Sequence, residues 1–210
     1  MTITARTASG HAFPILDPSA DDVRWPDVAA HLSKACRYNG ATELFYSVAQ
    51  HSVLAADFAT TPGAWDDEDR RVFTAALERT SVTILFCAVL IHDGEEFIGG
   101  DLIRPMKAAL EFEAQGAANA FGRVLGRIDA AVYAKASLPW PLPPWLAAAV
   151  KRADDRLCAT EQRDLLRNPA FTFTNGCTPI AMPRIRPLPP LPAEALFLSA
   201  LTRAGLDPRA

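Results

Sequence analysis

The stretch Val82-Thr83-Ile84-Leu85-Phe86-Cys87-Ala88-Val89-Leu90-Ile91-His92-Asp93-Gly94 decides the fold. From Val82 to Ile91 it is apolar all round, with one threonine, and it ends on His92-Asp93-Gly94. A buried parallel strand reads this way and would deliver an aspartate at its carboxyl end, as in doubly wound α/β enzymes. Two features favour a helix. Residues 68–80 are polar and helix-forming, with no Gly, Pro or turn signal before Val82. The set Val72, Ala75, Ala76, Val82, Leu85, Phe86, Val89 and Leu90 also keeps a 3.6-residue phase with Asp93. A helix is therefore predicted through this region, carrying His92 and Asp93 at its buried end.

Working outward, residues 42–59 are predicted as a helix with an inward stripe of Phe45, Val48, Ala49, Ser52, Ala55 and Ala56. His51 falls three residues after Val48 and four before Ala55, so it points inward with the stripe. An earlier helix is opened by Pro26 and Asp27, follows Val28, Ala29, Leu32, Ala35 and Cys36, and is stopped by Asn39-Gly40. The chain up to Asp22 is rich in turn formers and predicts an irregular entry with a short extended piece at residues 11–16. Downstream, Gly99-Gly100-Asp101 makes a turn and Pro105 starts a helical piece. Residues 117–135 form an alanine-rich helix, and residues 146–166 a strong helix carrying Asp154. Residues 172–192 are extended and proline-rich, and residues 193–204 form a last short helix. There are no internal repeats. The expected architecture is all-α: one helical bundle over residues 1–210, with its core at about 23–168 and a Pro-rich C-terminal wrap over 169–210.

The composition narrows the functional classes. Lys and Arg total 21 against 24 Asp and Glu, a formal charge of −3, which argues against a nucleic acid polymer as partner. A small anion remains compatible, since a few cations in one cleft suffice. Cys36, Cys87, Cys158 and Cys177 form no C-x-x-C pair, so neither a disulfide framework nor a thiolate zinc site is expected. The N-terminal stretch lacks a signal-peptide apolar run, and the Val82–Ile91 run falls far short of the roughly 20 residues of a membrane span. A cytoplasmic protein with no membrane partner is expected. The segment from Arg186 to Pro192 fits a PxxP peptide ligand, but within a folded chain it reads better as a polyproline strut packed on helices. The alanine-rich helix from Ala117 is a candidate homodimer face, and an ordinary core helix explains it equally well.

The candidate site starts from charge. His51 on an apolar face can be an ordinary core histidine. His92-Asp93 is sharper, because an ionised Asp buried beside a His is costly unless a cation compensates. A divalent metal would supply that charge, and imidazole with carboxylate is a suitable ligand mixture. Glu96 lies on the same side if the helix continues.

The longer pattern is His92-Asp93-Gly94-Glu95-Glu96, then Gly100-Asp101-Leu102, Pro105 and Lys107. It is preceded by Arg37 and by Ser47-Val48-Ala49-Gln50-His51, and followed by Lys151-Arg152-Ala153-Asp154. Across these residues, from Thr7 to about Leu166, the chain resembles the HD-domain phosphohydrolases. The nearest branch is that of the bacterial 5'-deoxynucleotidases and the phage-type nucleotide phosphohydrolases. The resemblance implies one divalent ion (Co, Mn, Mg, Fe or Zn, not distinguished) held by His51, His92, Asp93 and Asp154. Asp154 is preferred to Asp155 by the family pattern, and Asp155 is expected to be solvated. It further implies attack of metal-activated water on the phosphorus of a 5'-(deoxy)nucleoside mono- or triphosphate, with Asp93 and Glu96 catalytic and Glu96 the general acid/base. Arg37 and Lys107 would meet phosphate, and Asp101 the sugar. Tyr38, where deoxynucleotidases carry Trp, would form an aromatic wall. Two other readings stay open: a non-catalytic, regulatory nucleotide-binding HD protein with a structural metal, and an α/β phosphatase with residues 82–91 as a strand. His11 and His31 have no matching role.

Overall fold

One buried carboxylate, Asp27, ties the entry of the chain to the first helix. The computed structural model describes residues 3–113, 120–167 and 176–210. Strands β1 (Thr4–Arg6) and β2 (Ala12–Pro14) pair antiparallel, with Ala5 opposite Phe13. The expected extended piece is thus shorter than residues 11–16 and belongs to a hairpin. Phe13 is fully buried with its ring edge-on to Phe97. Asp27 accepts hydrogen bonds from Thr7 Oγ1 at 2.7 Å, Ser9 N at 2.6 Å and Ser9 Oγ at 2.7 Å.

Helix α1 (Trp25–Leu32) has Pro26 in its first turn but ends well before Asn39-Gly40. The next residues pair with a later segment instead: Arg37 N donates to Tyr46 O, Val48 N donates to Ala35 O, and Cys36 bridges Ser47. Ala35 and Cys36 therefore leave the predicted stripe, and residues 37–40 form a tight 3-10 turn. Helix α2 (Val48–Ala59) starts six residues later than predicted, because Ser47 caps it by accepting from Gln50 N. Phe45 consequently lies outside the helix and is exposed.

The decisive segment is helical, which removes the strand alternative, but it is not continuous with the helix before it. Helix α3 (Asp67–Leu77) begins with reciprocal capping between Asp66 and Asp69. Helix α4 (Val82–Leu90) begins on Ser81, whose hydroxyl accepts from Ile84 N. The two helices are bent by 112°. The cap at Ser81 resets the phase, so Val82, expected inward, is 52% exposed. Phe73 and Ala76 are the buried apolar residues of α3.

Helices α5 (Glu96–Gly99), α6 (Arg104–Glu113), α7 (Ala120–Lys135), α8 (Pro144–Leu165) and α9 (Pro190–Arg203) complete the chain. The expected helical start at residues 117–119 lies outside the described residues, as does part of the expected extended segment, 172–175. Helix α9 starts three residues earlier than predicted, with its prolines in the first turn, where a missing N–H costs nothing. Among the described residues no single helix is long and apolar enough to cross a membrane.

Helix α2 is the central element, packed by α1, α4, α8 and α9. Helix α3 is held on α8 by ion pairs: Arg152 Nε to Asp69 at 2.6 Å, Arg156 Nη2 to Asp69 at 3.1 Å, and Arg152 Nη2 to Asp66 at 3.0 Å. The Pro-rich segment is a strut whose backbone is captured by side chains. Gln50 donates to Arg186 O at 2.9 Å and accepts from Leu188 N at 2.8 Å, and Arg163 donates to Ile180 O at 3.0 Å.

Candidate metal centre

Three elements bring the predicted ligands together. Helix α2 delivers His51, the turn after α4 delivers His92 and Asp93, and the middle of α8 delivers Asp154. One ligand atom from each of His51, His92 and Asp154 lies within 4.8 Å of the others. The His51 and His92 Nε2 atoms are 3.3 Å apart, and Asp154 Oδ1 is 3.5 Å and 3.9 Å from them. Asp93 stands beside this triplet, its Oδ2 3.4 Å from His92 Nε2 and 3.7 Å from His51 Nε2.

The other ring nitrogens fix the tautomers. His92 Nδ1 is 2.7 Å from Val89 O, a group that can only accept, so Nδ1 carries the proton. His51 Nδ1 donates to Glu161 Oε1 at 2.6 Å. In its neutral form each imidazole therefore presents a bare Nε2, and two such lone pairs at 3.3 Å call for a proton or a metal ion beside them. Two nitrogens about 2.1 Å from one ion and about 100° apart would stand about 3.2 Å from each other. The donor set fits a divalent metal.

Charge supports the same fit. Asp93, Asp154 and Glu161 against Arg37 leave a deficit of two positive charges. Burial opposes charge on His92, but Asp93 and Asp154 outweigh it and hold its pKa up at about 9. His51 is raised as well: burial and Arg37 oppose its charge, and Glu161 and Asp154 prevail. Burial would raise Asp154, yet hydrogen bonds to the two histidines hold it well below the usual carboxylate range. In the absence of metal the site is balanced by protons.

Glu161 is the functional residue that sequence reasoning missed. It is fully buried, seven residues beyond Asp154 on α8. Besides His51 it accepts from Tyr38 OH at 2.7 Å and faces Arg37 Nε at 3.4 Å. Burial opposes its ionisation, but Arg37 and His51 hold its pKa down at about 2. Orienting a ligand histidine through its second nitrogen is the usual task of such a carboxylate. The signal was its two-turn spacing from Asp154, which puts both on one helix face.

The other predicted residues gather around a cavity of about 460 Å³, within the range of small-molecule sites, about 300–1,000 Å³. Arg37, Tyr38, Asp93, Glu96, Asp101, Lys107 and Asp154 all line it. Arg37 is buried and reaches Asp93 Oδ2 at 3.2 Å, while its Nη2 lies 3.4 Å from the Cys158 thiol. That thiol in turn donates to Asp154 Oδ1 at 3.2 Å. Tyr38 sits at φ 57°, a strained conformation for a non-glycine, and its hydroxyl is committed to Glu161. Lys107 Nζ stands 4.0 Å from Glu96 Oε1. Glu96 arrives by a turn after α4 and the start of α5, not by continuation of α4. It is 5% exposed and its Oε2 has no hydrogen-bond partner among the described residues. Burial first, then Asp93 and Asp101, push its pKa well up, which favours its protonated form.

One expectation needs correction. Asp155 is buried, not solvated, and pairs with Lys151. His31 is a structural tie: its Nε2 accepts from Ala8 N at 3.0 Å and its Nδ1 donates to Phe97 O at 2.7 Å, joining the hairpin to α5.

No family model matches the chain. It is 31% identical over 151 residues to an uncharacterized protein of Rhodobacter capsulatus, covering 71% of this chain and 66% of that protein. It is 30% identical over 195 residues to the uncharacterized protein YfdR of Escherichia coli, covering 92% of this chain and 90% of YfdR. A helical bundle with a His-His-Asp centre beside an open cavity is the class that fold and site define. Within it, the chain belongs to the family of YfdR.

Proposed function

We propose that this protein is a metal-dependent phosphohydrolase of the HD-domain type, acting on 5'-(deoxy)nucleoside mono- or triphosphates. The observation that carries the reading is the convergence of two tautomer-locked Nε2 atoms with Asp154 and Asp93 at the edge of a cavity that also holds Arg37 and Lys107. A purely structural metal would be sealed, whereas Asp93 and Asp154 both border this cavity. When bound, a divalent ion there supplies positive charge to a phosphoryl oxygen and acidifies water.

The chain's own residues do the rest. The Arg37 guanidinium is held in place by Glu161 and Asp93, so its fork meets phosphate oxygens already oriented. Lys107, 40% exposed at the cavity rim, adds a mobile point charge. Glu96, in its favoured protonated form and with Oε2 unpaired among the described residues, can deliver a proton to the departing oxygen. Asp101 lines the same wall and offers a carboxylate to sugar hydroxyls.

The test is phosphate or polyphosphate release from a panel of ribo- and deoxyribonucleotides with added Mn²⁺, Co²⁺ or Mg²⁺. Turnover that vanishes in Glu96→Gln while metal content is retained is expected. No release from any nucleotide with any of the metals would remove the proposal.

A further inference from the structure

Asp154, Cys158 and Gln162 lie four residues apart on α8 and all line the cavity, and Leu166 at the helix end closes the row. Such a row runs along one helix face, so Gln162 stands about 12 Å of helix axis beyond Asp154. Its side chain is set apart from its neighbours on α8. Glu161 is matched to His51 and Tyr38, Thr160 to Arg156 O and Ile180 N, and Arg163 to Asp164 and Ile180 O. Gln162 is only 6% exposed, lines the cavity, and its amide has no hydrogen-bond partner among the described residues. The residue is nearly buried, yet its amide is not among the buried polar atoms that lack a partner, so it opens onto the cavity with donor and acceptor uncommitted. Both groups are left for whatever fills the cavity.

We infer that Gln162 is the residue that reads the base of the substrate, a specificity-determining group at the far end of the site. This rests on the phosphohydrolase reading above. With phosphate at the Asp154 and Arg37 end, the sugar spans the middle of the row and the base reaches Gln162. A carboxamide matches a nucleobase edge that sets a donor beside an acceptor, as the adenine N6/N7 edge does. Leu102, Ile103, Pro105 and Leu166 supply apolar surface against which a flat ring can lie.

The experiment measures kcat/KM with Mn²⁺ for deoxyadenosine 5'-monophosphate and for the base-free deoxyribose 5-phosphate. The wild-type protein is compared with Gln162→Leu and Gln162→Glu. Gln162→Leu is expected to lower the nucleotide-to-sugar-phosphate ratio of kcat/KM by about 10- to 100-fold, chiefly through KM for the nucleotide. Gln162→Glu, which keeps the shape but removes the donor, is expected to reorder the preference among the four bases. A ratio that stays constant while both activities fall together would mark a merely structural residue and overturn the inference. Failure of the wild-type protein to release phosphate from any substrate would sink the phosphohydrolase reading alone. Binding of adenosine, followed by ligand-observed NMR, then decides Gln162. Binding weakened by Gln162→Leu supports the role, and absent or unaltered binding ends it.

Discussion

The Nε2 atoms of His51 and His92 face each other at 3.3 Å while the Nδ1 atoms are already bound, to Glu161 at 2.6 Å and to Val89 O at 2.7 Å. Neither ring can turn away without leaving a buried donor unpaired. A divalent cation can therefore take the place of the protons that otherwise balance the carboxylates around these two rings. Added Mn²⁺ or Co²⁺ should raise the melting temperature, by the equivalent of about 2.7 kcal/mol at a hundredfold excess over Kd. Asp154→Asn and His92→Ala should abolish the shift. Differential scanning fluorimetry after chelator treatment checks this, and an unchanged Tm with every metal would contradict it.

Glu161 touches no predicted ligand atom on the metal side, yet it sets the His51 tautomer and restrains Arg37 and Tyr38. Glu161→Gln preserves its volume but weakens the acceptor for His51 Nδ1–H. Metal affinity should drop about 10- to 100-fold, the usual effect of losing a carboxylate behind a ligand histidine. Isothermal titration with Mn²⁺ measures it. An affinity equal to wild type would mean that the carboxylate serves folding only.

Gly94 follows the His92-Asp93 pair at a point of close packing. A Cβ there would lie 2.7 Å from Val132 Cγ1 and 2.8 Å from Ile91 O. The valine can shift, but the backbone carbonyl cannot without moving the turn that carries both ligands. Gly94→Ala should destabilise the protein by about 1–3 kcal/mol and weaken metal binding as well. Paired urea and metal titrations would show both losses, and a neutral substitution would indicate that the turn has more room than this packing allows.

The parts of the fold that could be read in advance are those where apolar periodicity acts alone. Helix α8, the inward setting of His51 and the helical state of residues 82–90 all follow from it. Helix starts were misplaced where a serine hydroxyl overrode periodicity. Ser47-Val48-Ala49-Gln50 carries the S-x-x-Q cap signature, and Ser81 caps α4 without a comparable flag. The pairing of residues 35–37 with 46–48 is non-local and leaves no local pattern. At the site, the ligands sit on apolar faces where a His or Asp stands out. Glu161 reads in the sequence as any polar helix residue, and only the demand of His51 Nδ1 for an acceptor sets it apart.

Arg37 and Lys107 both line the cavity as cations, but their burial separates their roles. Arg37 is 9% exposed at its side chain and balances Glu161 and Asp93. Arg37→Ala should therefore cost about 3–5 kcal/mol of stability by stranding a buried carboxylate, in addition to its effect on turnover. Lys107, 40% exposed, has no such structural duty, so Lys107→Ala should raise KM with little change in the urea midpoint. If the two variants lost stability equally, the division of labour drawn from burial would be wrong.

The hairpin contact offers a pH test away from the metal centre. Asp27 is 2% exposed, and although burial works against its charge, the hydrogen bonds from Thr7 and Ser9 prevail and lower its pKa. A carboxylate depressed in the folded state stabilises the fold above its unfolded pKa, about 3.9. That contribution is lost as pH falls through the lower folded value. Asp27→Asn should thus be destabilising by about 1–3 kcal/mol near neutral pH, where Thr7 and Ser9 lose an ionised acceptor. The gap between variant and wild type should then narrow as the pH falls below about 4. Urea titrations from about pH 7 to about pH 3 follow the gap directly. A gap that stays constant across that range would show that hydrogen-bond geometry, and not the ionised state of Asp27, holds the hairpin to α1.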